Sequence, residues 1–177
     1  MYPDVEFQTI HNFRDLDAWS AQFVGKWSMD KKEALADLLF SAEKNIDGTL
    51  KGIGLSAWRF NIGAGSAEQK EESGIKDAWR RVEGFLNTDV SYNWHKQLGQ
   101  QWFLNAAKQR GVSCFIGFVN SRPVQFAKNN KAFSDDGLSS NLKRSNYANY
   151  ALFLKNVVTH FKDSLDIQFN YISPFNE

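Results

Sequence analysis

The last residues of the chain combine two groups that could act on a substrate. Asn176 and Glu177 directly follow an apolar, β-prone run in the stretch YISPFNE. A carboxylate at the end of a parallel strand is a common position for acid/base chemistry. Arg59, Asn61 and Asn120 occupy similar positions in or after other strand-like runs. Amide and guanidinium groups bind hydroxyl groups, so this set favours a neutral ligand with many hydroxyls.

Aromatic residues accompany this polar set. Trp19 and Trp58 flank it in the sequence, and Asp17 is its second carboxylate. Aromatic residues make up 15% of the chain, with 6 Trp and 15 Phe, which exceeds the usual need of a core of this size. Because flat indole faces stack on the C–H faces of sugar rings, the composition is compatible with a carbohydrate site.

Other binding chemistries lack their sequence signals. Gly52, Gly54 and Ala57 have the spacing of a dinucleotide fingerprint, but the segment continues as the strand-like WRFNIG instead of opening a helix. No Gly-rich turn with a lysine indicates a phosphate site. The single cysteine, Cys114, excludes an internal disulfide and a cysteine-built zinc site. We therefore predict no metal and no cofactor.

Length and charge narrow the class of protein further. The 177 residues, 20.2 kDa in mass, form one domain or part of a larger one. The net charge of +1 gives no reason to expect a nucleic-acid partner. No apolar run approaches the ~18 residues of a membrane span. The amino terminus lacks the basic and hydrophobic segments of a signal peptide.

Helical patterns separate the strand-like runs. Residues 30–44 are predicted as a helix, with Asp30 and Glu33 as its capping pair and three leucines on its inner face. Residues 96–111 are predicted as a second helix that closes at Gly111.

Two long polar loops and one further helix complete the pattern. The loops cover residues 64–94 and 120–145, and a short helix is predicted inside the first at 75–86. The last helix covers residues 146–163 and places His160 in its final turn, where an imidazolium would interact favourably with the helix dipole. Long loops in a compact pattern tend to be functional.

The order of elements is β, α, β, α, β, α, β, with a possible first strand at 5–10, and each long loop follows a strand. This order is typical of a parallel α/β protein that binds its ligand at the carboxyl ends of the strands. The residues expected along that edge are Asp17, Arg59, Asn61, Asn120, Asn176 and Glu177.

Four motifs occur in order along the chain: GLSAWRFNIGAGS (54–66), GFVNSRPVQF (117–126), DGLSSNLK (136–143) and YISPFNE (171–177). Together they resemble glycoside hydrolase family thirty, within the clan A (β/α)8 retaining glycosidases, and most closely its endo-β-1,6-galactanase branch. The resemblance implies that residues 1–177 are the amino-terminal half of a (β/α)8 TIM barrel. That half would hold about four βα units and would be truncated after strand four.

The resemblance also implies roles for individual residues. Glu177 would be the general acid/base, and Asn176 would contact the 2-hydroxyl of the sugar. Arg59 would orient the catalytic carboxylates, and Asp17 with Trp19 would lie near the glycone subsite. A retaining glycosidase needs a second carboxylate about 5 Å away as its nucleophile. In this family the nucleophile belongs to strand seven, which this chain does not include.

Two segments depart from the family pattern. Residues 12–16 read NFRDL where the family has Gly-Phe-Gly-Ala-Ser, so charged side chains replace small ones. After Asn120, on the rim of the third strand, the usual Ser-Pro-Pro followed by Trp or His reads SRPVQ. Arg122 therefore stands where the family has proline, and a ring that could support a sugar is lost.

Two functions of different classes follow from these observations. In the first, the chain is half of a secreted or periplasmic retaining β-glycosidase, with a carbohydrate substrate, and is inactive alone. In the second, it is a catalytically inactive half-barrel fragment with at most carbohydrate binding. An isolated half-barrel exposes edge strands and an apolar inner face, so we expect it to self-associate.

Overall fold

The structure, a computed structural model, describes residues 27–176. Its main elements are α1 (Met29–Phe40), β1 (Ala57–Asn61), α2 (Leu98–Gln109), β2 (Cys114–Phe118), α3 (Tyr147–Leu165) and β3 (Tyr171–Ser173). Short 3-10 turns lie at Lys70–Ser73, Ala78–Arg80, Val124–Phe126 and Arg144–Asn146. The predicted strand at 5–10, the atypical segment at 12–16, Asp17, Trp19 and Glu177 fall outside the described residues.

The three strands form one parallel sheet in the order β1, β2, β3. In its register Arg59 pairs with Ile116, and Ile116 pairs with Tyr171. Parallel neighbours need crossover connections, which α2 and α3 supply. The predicted parallel α/β architecture is therefore confirmed for the second, third and fourth predicted strands.

The helix-facing side of the sheet forms an aromatic core. Phe60 of β1 is fully buried and contacts the rings of Phe85, Phe161 and Phe169 at centroid distances of 6.3, 4.8 and 6.0 Å. Fully burying a side chain of this size stabilises the fold by roughly 1.5–3 kcal/mol. The surplus of phenylalanine noted in the sequence is thus largely consumed by the core.

The opposite side of the sheet is less covered. Ile116 is half-buried there, and Tyr171 on the same register line exposes 65% of its surface. Within residues 27–176, β3 pairs only with β2, so its outer edge is open. These are the features expected of the inner face and edge of an incomplete barrel.

Helix α1 differs in detail from its prediction. It ends at Phe40 and not at residue 44, and Ser28 is its N-cap, so the predicted capping pair of Asp30 and Glu33 is wrong. Leu38, one of the three leucines predicted to face inward, is 53% exposed, because the inner stripe follows Ala36, Leu39 and Phe40 instead.

An ion-pair cluster joins α1 to the amino ends of the strands. Arg110, at the end of α2, binds Glu33 at 2.6 Å and Asp37 at 2.8 Å, and Lys51 binds Asp37 at 2.9 Å. The hydrogen bond from Lys51, followed by Arg110, lowers the pKa of Asp37 despite its partial burial. Each charge at this end of the sheet therefore has a close counter-charge.

The helix predicted at 75–86 is absent, and only the 3-10 turn Ala78–Arg80 forms there. The chain instead wraps around the buried side chain of Arg81. That side chain donates to the carbonyl of Ile75 at 2.9 Å and to Glu71 at 3.1 Å. Because this guanidinium satisfies a backbone carbonyl directly, the segment does not need helical hydrogen bonds.

The prediction for His160 is wrong in its chemistry. Helix α3 continues to Leu165, and the imidazole stacks on Trp94 with centroids 4.0 Å apart and planes inclined by 6°. Burial lowers the pKa of His160, which favours the neutral ring over the imidazolium. Neither α3 nor any other helix in residues 27–176 has the length and apolar character to cross a bilayer.

Two turns of five residues, 45–49 and 87–91, have the same hydrogen bonds. In both, the first residue donates from its backbone to the carbonyl of the fifth, at 2.8 and 2.9 Å. In both, an aspartate in the third position accepts from the backbone of the fifth at 3.0 Å. The fourth residue is Gly48 with φ 84° in one turn and Val90 with φ 64° in the other. Left-handed backbone is strained for a β-branched residue.

Replacing Val90 with glycine tests this strain. We expect Val90→Gly to raise the free energy of unfolding by about 1 kcal/mol, since left-handed backbone costs an L-residue ~1–2 kcal/mol and glycine loses part of that gain in chain entropy. The reverse change, Gly48→Val, is the matched control. An added Cβ there has no neighbour within 4 Å, so only the backbone resists it. Chemical denaturation of both variants checks the pair, and equal stabilities would contradict the argument.

The open edge of β3 and the exposed inner face give a second prediction. Residues 1–177 produced alone should self-associate, because the exposed ring of Tyr171 and the unpaired strand edge favour contact with another copy. Sedimentation velocity over a range of concentrations measures this. A monomer that unfolds cooperatively at all concentrations would be the opposite result.

Candidate active site at the carboxyl ends of the strands

Arg59 and Asn61 occupy the inner face of the sheet at the end of β1. The guanidinium of Arg59 lies 4.2 Å from the ring centroid of Phe118 on the neighbouring strand, a cation–π contact that fixes its direction. Asn61 follows on the same face and is only 7% exposed. The strand period of two thus brings both predicted polar residues to one side of the sheet.

Asn120 and Asn176 meet across the ends of β2 and β3. The side-chain amide of Asn176 donates to Oδ1 of Asn120 at 3.2 Å. These two predicted site residues come from loops 56 positions apart in the sequence. The bond therefore depends on the parallel pairing of the two strands, which brings their carboxyl ends together.

Helix α3 holds the segment that carries Asn176. The hydroxyl of Tyr150 donates to the carbonyl of Pro174, and its ring contacts Phe175 with centroids 5.5 Å apart. Burial raises the pKa of Tyr150, so the phenol keeps the proton with which it donates. One side chain of the helix layer thus fixes the direction of the chain as it leaves β3.

A cavity of about 50 Å³ lies between the loops that follow β1 and β2. Asn61, Asn120, Ser121 and Arg80 are among its lining residues. Oδ1 of Asn61 is buried and has no hydrogen-bond partner among residues 27–176. Since a buried acceptor without a donor is unfavourable, this cavity suits a water molecule or a hydroxyl group of a ligand.

A chain of buried side-chain amides supports the end of β1. Gln100 of α2 accepts from the backbone N–H of Asn61 at 3.1 Å and donates to its carbonyl at 3.3 Å. Gln100 also donates to Gln97 at 2.8 Å, and Gln97 in turn donates to the carbonyl of Glu83 at 2.9 Å. Both backbone groups of the last residue of β1 are therefore satisfied by one glutamine.

Trp58 lies away from this site. It points to the helix side of β1, is 6% exposed, and contacts Phe40 edge-to-face with centroids 4.9 Å apart. Its burial argues against the predicted contact with a ligand. Alternation along a strand explains the difference, because neighbours of Arg59 must face the other side of the sheet.

The structure adds residues that the sequence analysis did not select. Gln97, Gln100 and Tyr150 hold the strand ends in place, and Arg122 contributes a charge next to Asn120. A glutamine on the otherwise apolar inner face of α2 was the available signal for Gln100. Within residues 27–176 no cluster of three or more histidine, cysteine or acidic side chains could hold a metal ion.

These features define a parallel α/β protein with a polar, arginine-containing site at the carboxyl ends of its strands. Residues 2–177 match the family model of O-glycosyl hydrolase family 30. The chain belongs to that family. It is also 33% identical over 175 residues to an endo-beta-1,6-galactanase from Hypocrea rufa, which confirms the resemblance to that branch.

Solved structures support the same fold. A conserved exported protein from Bacteroides fragilis is 41% identical, with a TM-score of 0.84 over 91% of this chain. The catalytic domain of GH30 xylanase C from Talaromyces cellulolyticus is 20% identical, with a TM-score of 0.55 over 93% of this chain, and shows the fold alone. The chain spans 35% of the galactanase and 33% of the Bacteroides protein.

The buried amides give a prediction for the intact protein. Gln100→Leu keeps the shape of the side chain but leaves the N–H and carbonyl of Asn61 without partners. We expect it to lower the free energy of unfolding by roughly 2–4 kcal/mol, because each unsatisfied buried group costs ~1–3 kcal/mol. Gln109→Leu, an exposed position at the end of the same helix, is the control. Equal denaturation midpoints for the two variants would show that the amides do not support β1.

Proposed function

We propose that this protein is a retaining glycoside hydrolase that cleaves β-glycosidic bonds in a polysaccharide of the β-1,6-galactan type. In this proposal residues 1–177 form the amino-terminal half of its (β/α)8 barrel, truncated after strand four. Membership of O-glycosyl hydrolase family 30 and the identity to an endo-beta-1,6-galactanase support it. The observation that carries it is the bond between Asn120 and Asn176, because Glu177 follows Asn176 directly in the sequence.

In the proposed mechanism Glu177 is the general acid/base. It protonates the glycosidic oxygen as the bond breaks, and it later takes a proton from the water that releases the sugar. Its partner is a carboxylate nucleophile about 5 Å away, supplied by the strand-seven region of the barrel. A like charge at that distance disfavours ionisation of the acid/base, which keeps the proton available near neutral pH.

The remaining polar residues would hold the sugar and the carboxylates. Asn176 contacts the 2-hydroxyl, where a hydrogen bond strengthens as the transition state forms. Arg59, fixed against Phe118, orients the carboxylates and does not transfer a proton. Asn61 and Asn120 offer amide groups to further hydroxyls, and Asp17 with Trp19 completes the glycone subsite.

We infer that the reaction takes place outside the cytoplasm, in the secreted or periplasmic space. The similar Bacteroides fragilis protein is described as exported, and a polysaccharide of the galactan type is too large to enter a cell intact. The carbohydrate is the only ligand that this mechanism requires.

Glu177→Gln in the intact protein tests the acid/base assignment. We expect hydrolysis of polysaccharide to fall by ~10²–10⁴-fold, since general acid catalysis contributes about that much when the leaving group is poor. Added azide should partly restore turnover of activated aryl glycosides, because a small anion can release the glycosyl-enzyme without a general base.

Glu72→Gln, at an exposed carboxylate in the loop after β1, is the control for this prediction and should leave both rates unchanged. Unchanged polysaccharide hydrolysis in Glu177→Gln would mean that Glu177 is not the acid/base. Binding of galactan without any hydrolysis by the unaltered protein would instead favour the carbohydrate-binding function.

A further inference from the structure

Arg122, in the loop after β2, is a mostly buried cation without a counter-charge among residues 27–176. Its Nε is buried and has no hydrogen-bond partner. Its one hydrogen bond runs from Nη2 to the carbonyl of Ala132 at 3.4 Å, which is long for a bond of this type. Burial lowers the pKa of Arg122, which reflects an environment unfavourable to the charge. A buried charge in such a position normally requires a partner.

Other buried arginines of this chain have such partners. Arg81 pairs with Glu71 at 3.1 Å, and Arg110 pairs with Glu33 at 2.6 Å and with Asp37. Arg122 therefore differs from the pattern that the rest of the chain follows. The family pattern has proline at this position, so the charge is a departure particular to this sequence.

The position of Arg122 connects it to the candidate active site. Its neighbour Ser121 and its contact residue Ala132 both line the small cavity that also contains Asn61 and Asn120. Arg80 lines the same cavity, and none of the lining residues is acidic. The wall between the loops after β1 and β2 is therefore positively charged.

A guanidinium pairs best with a planar carboxylate, to which it can donate two parallel hydrogen bonds. We propose that Arg122 binds the carboxylate of a uronic acid residue in the glycan substrate, with Arg80 providing a second positive charge. This inference rests on the proposed glycosidase function and specifies the substrate further. The substrate would be an acidic glycan, and binding would supply the counter-charge that Arg122 lacks in the free protein.

The test compares two probes that differ in one charge. The first is a β-1,6-linked galacto-oligosaccharide that carries one uronic acid residue. The second is the same oligosaccharide after reduction of its carboxylate to a hydroxymethyl group. Titration calorimetry with the intact protein carrying Glu177→Gln reads binding without turnover. We expect the acidic probe to bind at least ~10-fold more tightly, the effect of one charge-assisted contact.

Variants of Arg122 assign the preference to this side chain. Arg122→Gln should remove the difference between the probes, and Arg122→Lys should retain part of it. Arg144→Gln removes the same charge from an exposed turn and should leave the difference intact. Thermal unfolding gives a readout that a structural role would change in the opposite direction: the melting temperature of Arg122→Gln should equal or exceed that of the parent, because a buried unpaired charge is lost.

Each other outcome decides against the inference. Equal affinity for the two probes, or no binding of the acidic probe, would overturn it. A lower melting temperature of Arg122→Gln with equal loss of both probes would assign Arg122 a structural role. Equal loss of neutral and acidic hydrolysis in Arg122→Gln with Glu177 restored would mean that the guanidinium serves a carboxylate of the protein itself.

Hydrolysis separates this inference from the proposed function. If the protein cleaves the neutral probe but shows no acidic preference, the glycosidase function stands and the role of Arg122 is wrong. If it prefers the acidic probe in binding but cleaves neither, the role of Arg122 stands and the glycosidase function is wrong.

Discussion

The site depends on how the backbone of Asn61, the last residue of β1, is satisfied. A strand that ends at a sheet edge leaves an N–H and a carbonyl that would otherwise need water or another strand. Gln100 supplies both partners from helix α2, and Gln97 continues the hydrogen bonds to the loop at Glu83. Through these bonds the helix layer determines where β1 ends, and with it the position of Arg59 and Asn61.

The end of β3 is held in a comparable way. Tyr150 of α3 binds the carbonyl of Pro174, two residues before Asn176. In both cases a polar side chain from a covering helix binds the backbone at a strand end, while the rest of that helix face is apolar. Loops that carry site residues are thus anchored by the core side of the protein, which leaves their opposite side available for a ligand.

The sequence was sufficient to predict the parallel architecture, because apolar runs and helical periods alternate clearly along the chain. It also grouped Asn120 with Asn176 correctly, since residues that follow parallel strands share an edge. It could not assign Trp58 to the core, because its strand is apolar on one side and mixed on the other, and composition does not tell which side faces a ligand. The false helix at 75–86 arose because a helical pattern cannot reveal that Arg81 binds a local carbonyl. Gln100 was overlooked because its partner is backbone, which has no sequence signature.

The ion-pair cluster at Arg110 divides the molecule into two electrostatic environments. At the amino ends of the strands, Glu33, Asp37 and Lys51 neutralise one another and Arg110 at distances of 2.6–2.9 Å. At the carboxyl ends, Arg80 and Arg122 line or adjoin a cavity without acidic lining. Dissolved ions screen unpaired, accessible charges more than close pairs. The ionic strength of the surroundings therefore acts mainly on the ligand-binding end, so habitats of different salinity would alter recognition of a charged ligand before they altered the fold.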